Sequence, residues 1–143
     1  MHETVGDIWE YADRGYIIVI TTNGSLTRDG RAVVGRGVAK QATHYFPGLA
    51  QKLGTLLTEQ GSHVFSLGCG IVTFPVEETA WSLPDLHIIA RSAEELRLLA
   101  DRSGWERIVV PRPGCGGGGL AWKDVLPLLA PWFDDRFTVI SRH

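Results

Sequence analysis

The stretch "YIIVITT", residues 16–22, is an unbroken run rich in β-branched residues. A strand with one face in water alternates apolar with polar residues, so an unbroken run marks a strand covered on both faces. "RIVVP" (107–111) has the same character, and "RFTVIS" (136–141) reads as a last strand. Strands of this kind sit in sheets whose crossover helices cover both faces. The chain has 143 residues, 44% of them hydrophobic, which suits one core. Splitting it would leave two pieces of marginal size, so one domain over residues 1–143 is expected.

Between these strands the periodicity is helical. "GVAKQATHYF" puts Val38, Ala42 and Tyr45 on one face and ends at Pro47 and Gly48. "LAQKLGTLLTEQ" predicts a second helix, stopped at Gly61. "DLHIIARSAEELRLLADRSG" carries Leu86, Ile89, Ala93, Leu96 and Ala100 at helical spacing and closes at Gly104. "AWKDVLPLLAPWF" predicts a helix limited or kinked by Pro127 and Pro131. "ETVGDIWEY" (3–11) reads as a short strand with a Gly-Asp turn signal. "HVFSLG" and "GIVTFPV" read as two strands around Gly68-Cys69-Gly70. Strand and helix alternate. The fold class expected is α/β, a three-layer α/β/α sandwich with a mixed, largely parallel central sheet.

In such sheets ligands bind beyond the carboxyl ends of the strands. Three unusual loops follow strands there: 23–37, 73–84 and 111–120. The third, in "PRPGCGGGGLAWKDV", holds five glycines between positions 114 and 119. Glycine costs conformational entropy when ordered, so such a cluster needs a reason. Two of the loops run into helix starts through glycines, "GRGVAK" and "GGGGLAWKDV". Helix starts expose unpaired N–H groups and a positive dipole end, and glycine lets an oxyanion come close. Two such loops facing each other would cradle a diphosphate; a tight turn that only packs strand on helix is the structural alternative. Gly114, Gly116 and Gly119 formally fit G-x-G-x-x-G, but only one helix and one strand follow, too little for a dinucleotide fold. No Gly-Lys-Ser/Thr follows a glycine loop, which removes the Walker-type reading.

Net charge is −2, so an anion must be held by local donors rather than by a broad basic face, and no membrane partner is implied. Two cysteines, Cys69 and Cys115, make neither a disulfide framework nor a four-cysteine zinc site, and both are expected as small buried thiols. His2, His44, His63, His87 and His143 are scattered at no metal-binding spacing, and each is expected at the surface or a helix end. Neither metal nor cofactor is expected. No charged start leads into an apolar run and no apolar stretch nears ~18 residues, which gives a cytoplasmic protein as the expectation. A serine elbow is absent too.

With "GDIWEY", "VITTNG", "VVGRGVAKQA", "FPGL" and "PRPGCGGGGLAWKDV" in this order, the chain resembles a macrodomain over nearly its whole length. Its Pro-Arg-x-Gly-Cys-Gly…Gly-Leu-x-Trp run is similar to the branch of terminal ADP-ribose protein glycohydrolases and antitoxins that reverse DNA ADP-ribosylation. The resemblance implies ADP-ribose as ligand. Asp7 and Ile8 would stand at the adenine end, although Asp7 also suits a turn-capping carboxylate. Asn23 would offer both amide functions to the distal ribose, or serve as an ordinary Asn-Gly turn. Gly35, Gly37 and Val38 would lie along the diphosphate and distal ribose, with Arg36 either a phosphate donor or solvent-facing. Gly114, Cys115, Gly116, Gly117, Gly118, Gly119 and Leu120 would wrap the diphosphate from the other side. Trp122 suits a core anchor better than a ligand contact.

The same branch implies a nucleophilic lysine in the middle loop and an acid in the glycine loop. This chain has "TFPVEETAW" and Gly118 instead. A carboxylate forms no imine with an opened ribose, so the lysine route is closed. Two functions remain. One is hydrolysis of ADP-ribose from modified acidic side chains, carried by orientation (~7 kcal/mol or more) and by Glu77 as general base, with Asn23 as a lesser catalytic candidate. The other is a reader that binds ADP-ribose unchanged, in which "VEETAW" is a solvated loop. ADP-ribosylated protein is the expected partner. Modified nucleic acid is the alternative, contacted by Arg28, Arg31, Arg36 and Lys40.

Overall fold

The computed structural model describes residues 1–142; His143 lies outside the described residues. The described residues form six strands and five helices, in the order β1 (His2–Val5), α1 (Ile8–Ala12), β2 (Ile17–Thr22), α2 (Gly37–Tyr45), α3 (Leu49–Gln60), β3 (Ser66–Gly68), β4 (Ile71–Pro75), α4 (Leu86–Ser103), β5 (Ile108–Pro111), α5 (Trp122–Leu129) and β6 (Phe137–Ser141). The strands form one sheet in the order β1-β6-β5-β2-β4-β3. Every neighbouring pair is parallel except β3 with β4, which makes a hairpin edge.

The β-branched runs are covered on both faces, as their sequence requires. In β2, Val19 turns to a core shared with Ile89, Ala93, Leu96, Val125 and Leu129 from α4 and α5. Its neighbours Ile18 and Ile20 turn the other way, onto Ala39, Ala42, Leu53 and Leu57 of α2 and α3, with Ile8 of α1. In β5, Ile108 and Val110 face the first core and Val109 the second. Period-2 alternation between two apolar layers gives the three-layer sandwich.

Several local expectations are corrected. Residues 3–11 are not one strand: β1 stops at Val5, and the Asp7 carboxylate accepts from the Trp9 N–H at 3.0 Å, starting α1. "HVFSLG" is strand only over Ser66–Gly68, because the Phe65 N–H is taken by the buried Thr73 hydroxyl at 2.8 Å. On α2 the buried face is Ala39 and Ala42, whereas Tyr45 is 59% exposed and stacks on Trp9 with centroids 4.5 Å apart. Leu86 is similarly part-exposed at the start of α4. Cys69 is exposed at φ 54°, and Cys115 is half-buried rather than buried. His63 is half-buried, its Nδ1 3.0 Å from Glu95 Oε2.

Gly54 sits inside α3, where glycine costs about 1 kcal/mol relative to alanine. Its reason is close approach: a Cβ there would run into the backbone of Gly30, Arg31 and Ala32. The loop 23–36 therefore lies directly on the helix, fixed by the Ala32 N–H to the Ala50 carbonyl at 2.8 Å. Among the described residues, no helix is long and apolar enough to cross a membrane.

Candidate ligand-binding cleft

A cleft of about 1100 Å³ opens along the carboxyl ends of the parallel strands. Its ends are Asp7, after β1, and Glu77, after β4. Between those two strands lie four inter-strand spacings of about 4.8 Å, roughly 19 Å in all. The walls are the loops 23–36 and 112–121, and the 76–85 loop closes the Glu77 end.

The helices around the cleft start in two ways. α1 and α4 are capped by aspartates, Asp7 and Asp85. α2 and α5 begin at Arg36 and Ala121 with no capping side chain. Gly37, Val38 and Ala39, in the first turn of α2, line the cleft at the end of the helix where N–H groups are unpaired and the dipole is positive. Across from them, the N–H groups of Gly116, Gly117 and Gly118 have no acceptor among the described residues. Residues with backbone donors left without an acceptor thus line both walls of one cleft.

The glycine cluster has two functions, separable by what a Cβ would meet. At Gly118 it would lie 2.5 Å from Pro84 Cγ and 2.7 Å from the Gly114 carbonyl oxygen. At Gly114 it would meet Leu120 Cδ1 at 2.8 Å, and φ is 72°. These two glycines let the loop fold on itself and on Pro84. At Gly116 a Cβ meets nothing, and at Gly117 only the Arg36 guanidinium, 3.6 Å away. Those two are bare toward the cleft. Gly119 is not among the residues that line the cleft, and its N–H turns back to the Gly116 carbonyl at 3.3 Å.

Asp7, Ile8, Asn23, Gly35, Arg36, Gly37, Val38, Glu77, Gly114, Cys115, Gly116, Gly117, Gly118 and Leu120 all line the cleft. Asn23 is placed there, but its amide is engaged locally: Nδ2 donates to the Val33 carbonyl at 3.2 Å and Oδ1 accepts from the Ser25 N–H at 2.8 Å. One Nδ2 hydrogen and one Oδ1 lone pair thus fix the loop, as an Asn-Gly turn does. Trp122 is both anchor and wall. It packs on the core beneath α5, donates Nε1–H to Glu3 at 2.9 Å, and carries Arg112 4.8 Å above its ring. Of the four basic residues, Arg36 and Lys40 line the cleft; Arg28 and Arg31 do not, and Arg31 is paired with Asp29.

Glu77 differs from its neighbours in "VEETAW". Glu78, Thr79 and Trp81 are exposed, whereas Glu77 is only 9% exposed, and its buried Oε2 has no partner among the described residues. Burial raises its carboxyl above the usual range, and the Arg36 charge opposes that rise. A buried oxygen without a partner is costly unless something else occupies its lone pairs. Sequence reasoning missed the far end of the wall: Gln41, His44 and Arg142 line the cleft beside Asp7. For Gln41 and His44 the only signal was helical spacing from Gly37; Arg142, just after β6, had none. Among the described residues no cluster suits a metal ion.

No protein-family model and no curated protein matches the chain. Solved structures do match in fold. The macrodomain of Mycobacterium tuberculosis DarG superposes with a TM-score of 0.80 at 23% identity, covering 96% of this chain and 95% of that one. The macrodomain of Thermus aquaticus DarG gives 0.79 at 20% identity, with 97% and 95% covered. Thermosipho africanus DarTG, solved in complex with ADP-ribose, gives 0.76 at 17% identity; 98% of this chain covers 42% of that longer one.

Proposed function

This chain has the macrodomain fold, and from that premise we propose that its cleft binds ADP-ribose and hydrolyses it from modified acidic side chains of proteins. The observation that carries the reading is the pairing of two uncapped glycine walls with one buried, partnerless carboxylate at the end of the cleft. The diphosphate sits between the N–H groups of Gly37 to Ala39 and those of Gly116 to Gly118, with Arg36 above it. Backbone donors suit an anion in a chain of net charge −2, since their attraction is local. The adenine end falls at Asp7 and Ile8, and the distal ribose at Glu77.

Glu77 acts as general base. It takes a proton from water as the water oxygen bonds to the anomeric carbon. The bond from that carbon to the acyl oxygen breaks, and its electron pair leaves with the target carboxylate. The leaving group is a stabilised carboxylate, so one base and a fixed sugar are sufficient machinery. Burial gives the base a pKa nearer neutrality, where proton transfer is most effective. The function is tested by titrating the protein with ADP-ribose, AMP and NAD, and by following release of label from Glu-linked ADP-ribosylated protein. ADP-ribose should bind more tightly than AMP, and label should be freed catalytically. Binding without release at stoichiometric protein would leave a reader.

A further inference from the structure

The loop from Val76 to Asp85 contains a feature that the cleft does not use. Trp81 and Leu83 are each 83% exposed. Single exposed apolar residues are ordinary, but a tryptophan and a leucine two residues apart, both bare, on a loop that borders a cleft are informative. The loop is not loosely hung. The Gly24 N–H donates to the Glu78 carbonyl at 3.0 Å, the Ala80 N–H to Ser25 Oγ at 2.9 Å, and the Asp85 N–H to the Val76 carbonyl at 2.8 Å. Across its tip, Thr79 Oγ1 and Ser82 Oγ are 2.6 Å apart. Ala80 and Pro84, beside the two exposed residues, line the cleft, and Glu77 begins the same loop.

We propose that Trp81 and Leu83 form a docking surface for the protein segment flanking the modified residue. This rests on the proposed function, which sets the bond to the target next to Glu77, so that the target emerges beside this loop. The charge favours a polypeptide. Glu78 and Asp85 are exposed on either side of the pair, in a chain of net charge −2. A polyphosphate backbone laid there would meet carboxylates, whereas a segment with an apolar residue next to a lysine or arginine would meet complementary groups. Tryptophan is also enriched among the residues that carry binding energy at protein interfaces, and with two side-chain torsions it loses little entropy on contact.

The test compares two affinities in a Glu77→Gln background. One is for free ADP-ribose. The other is for a peptide ADP-ribosylated on glutamate, with leucine and arginine beside it. The peptide should bind more tightly than the free ligand. Trp81→Ala combined with Leu83→Ala should weaken the peptide about 10-fold or more while leaving free ADP-ribose unchanged. Equal affinities for peptide and free ligand, or a double variant that binds the peptide normally, would overturn the docking surface. So would a double variant that loses an ADP-ribosylated single-stranded oligonucleotide but keeps the peptide, since that surface would read nucleic acid. Failure of free ADP-ribose to bind at all would instead overturn the proposed function beneath it.

Discussion

Gly117→Ala and Gly118→Ala should separate ligand binding from folding within one turn. At Gly118 the new methyl would stand 2.5 Å from Pro84 Cγ and 2.7 Å from the Gly114 carbonyl oxygen. A proline ring and a backbone oxygen yield little, so overpacking costs about 1–3 kcal/mol. Restricting the unfolded chain returns about 0.4–1 kcal/mol. The net loss is on the order of 1–2 kcal/mol, which lowers the melting temperature by about 3–8 °C in a chain of this length. At Gly117 the methyl meets only the Arg36 guanidinium at 3.6 Å, ordinary contact, and stability should hold or rise slightly. Affinity should respond in the opposite way. The Gly117 methyl occupies the space in which an oxyanion approaches the wall. Losing one charge-assisted N–H bond costs about 1.5–3 kcal/mol, or roughly 10- to 150-fold in Kd. Thermal unfolding by circular dichroism and calorimetric titration with ADP-ribose read the two effects. Gly117→Ala that unfolds early while binding normally would refute this division of the cluster.

Glu77→Gln should reduce release of ADP-ribose by about 10²- to 10⁴-fold with Kd unchanged, measured by single-turnover assay and titration. The wild-type rate should climb with pH through the raised Glu77 pKa, because the base acts only when ionised. Stability has the opposite slope: the contribution of the neutral carboxyl is complete below its usual 4.5 and is lost as pH rises through the folded value. The melting temperature of wild type relative to Glu77→Gln should therefore fall across that window. Removing the opposing charge with Arg36→Gln should move the rising limb of the rate profile to higher pH and weaken ADP-ribose binding. Gly54→Ala should displace the loop 23–36 from α3; lower thermal stability and weaker binding together would be its signature.

The sheet and its two covers were legible because β-branched runs and 3.6-residue periods are local signals, and Val19 between Ile18 and Ile20 is all that two-sided burial requires. The cleft was legible through its glycines, which restrict where backbone must be bare. Two things were hidden. The strand reading of residues 3–11 failed because one carboxylate, Asp7, starts a helix that propensity alone does not favour. The environment of Glu77 was equally out of reach, since nothing in "VEETAW" tells Glu77 from Glu78 and only the tertiary fold buries the first carboxylate. Nor does sequence separate Gly116 and Gly117 from Gly114 and Gly118. That distinction depends on Pro84, thirty residues or more away.

Among the described residues strand β1 pairs with β6 alone, and the Gly6 N–H is held by the Ser141 carbonyl at 2.9 Å. Residues 138–141 therefore seat the Asp7 corner from the opposite end of the sequence, and a change that loosens β6 loosens that corner of the cleft with it.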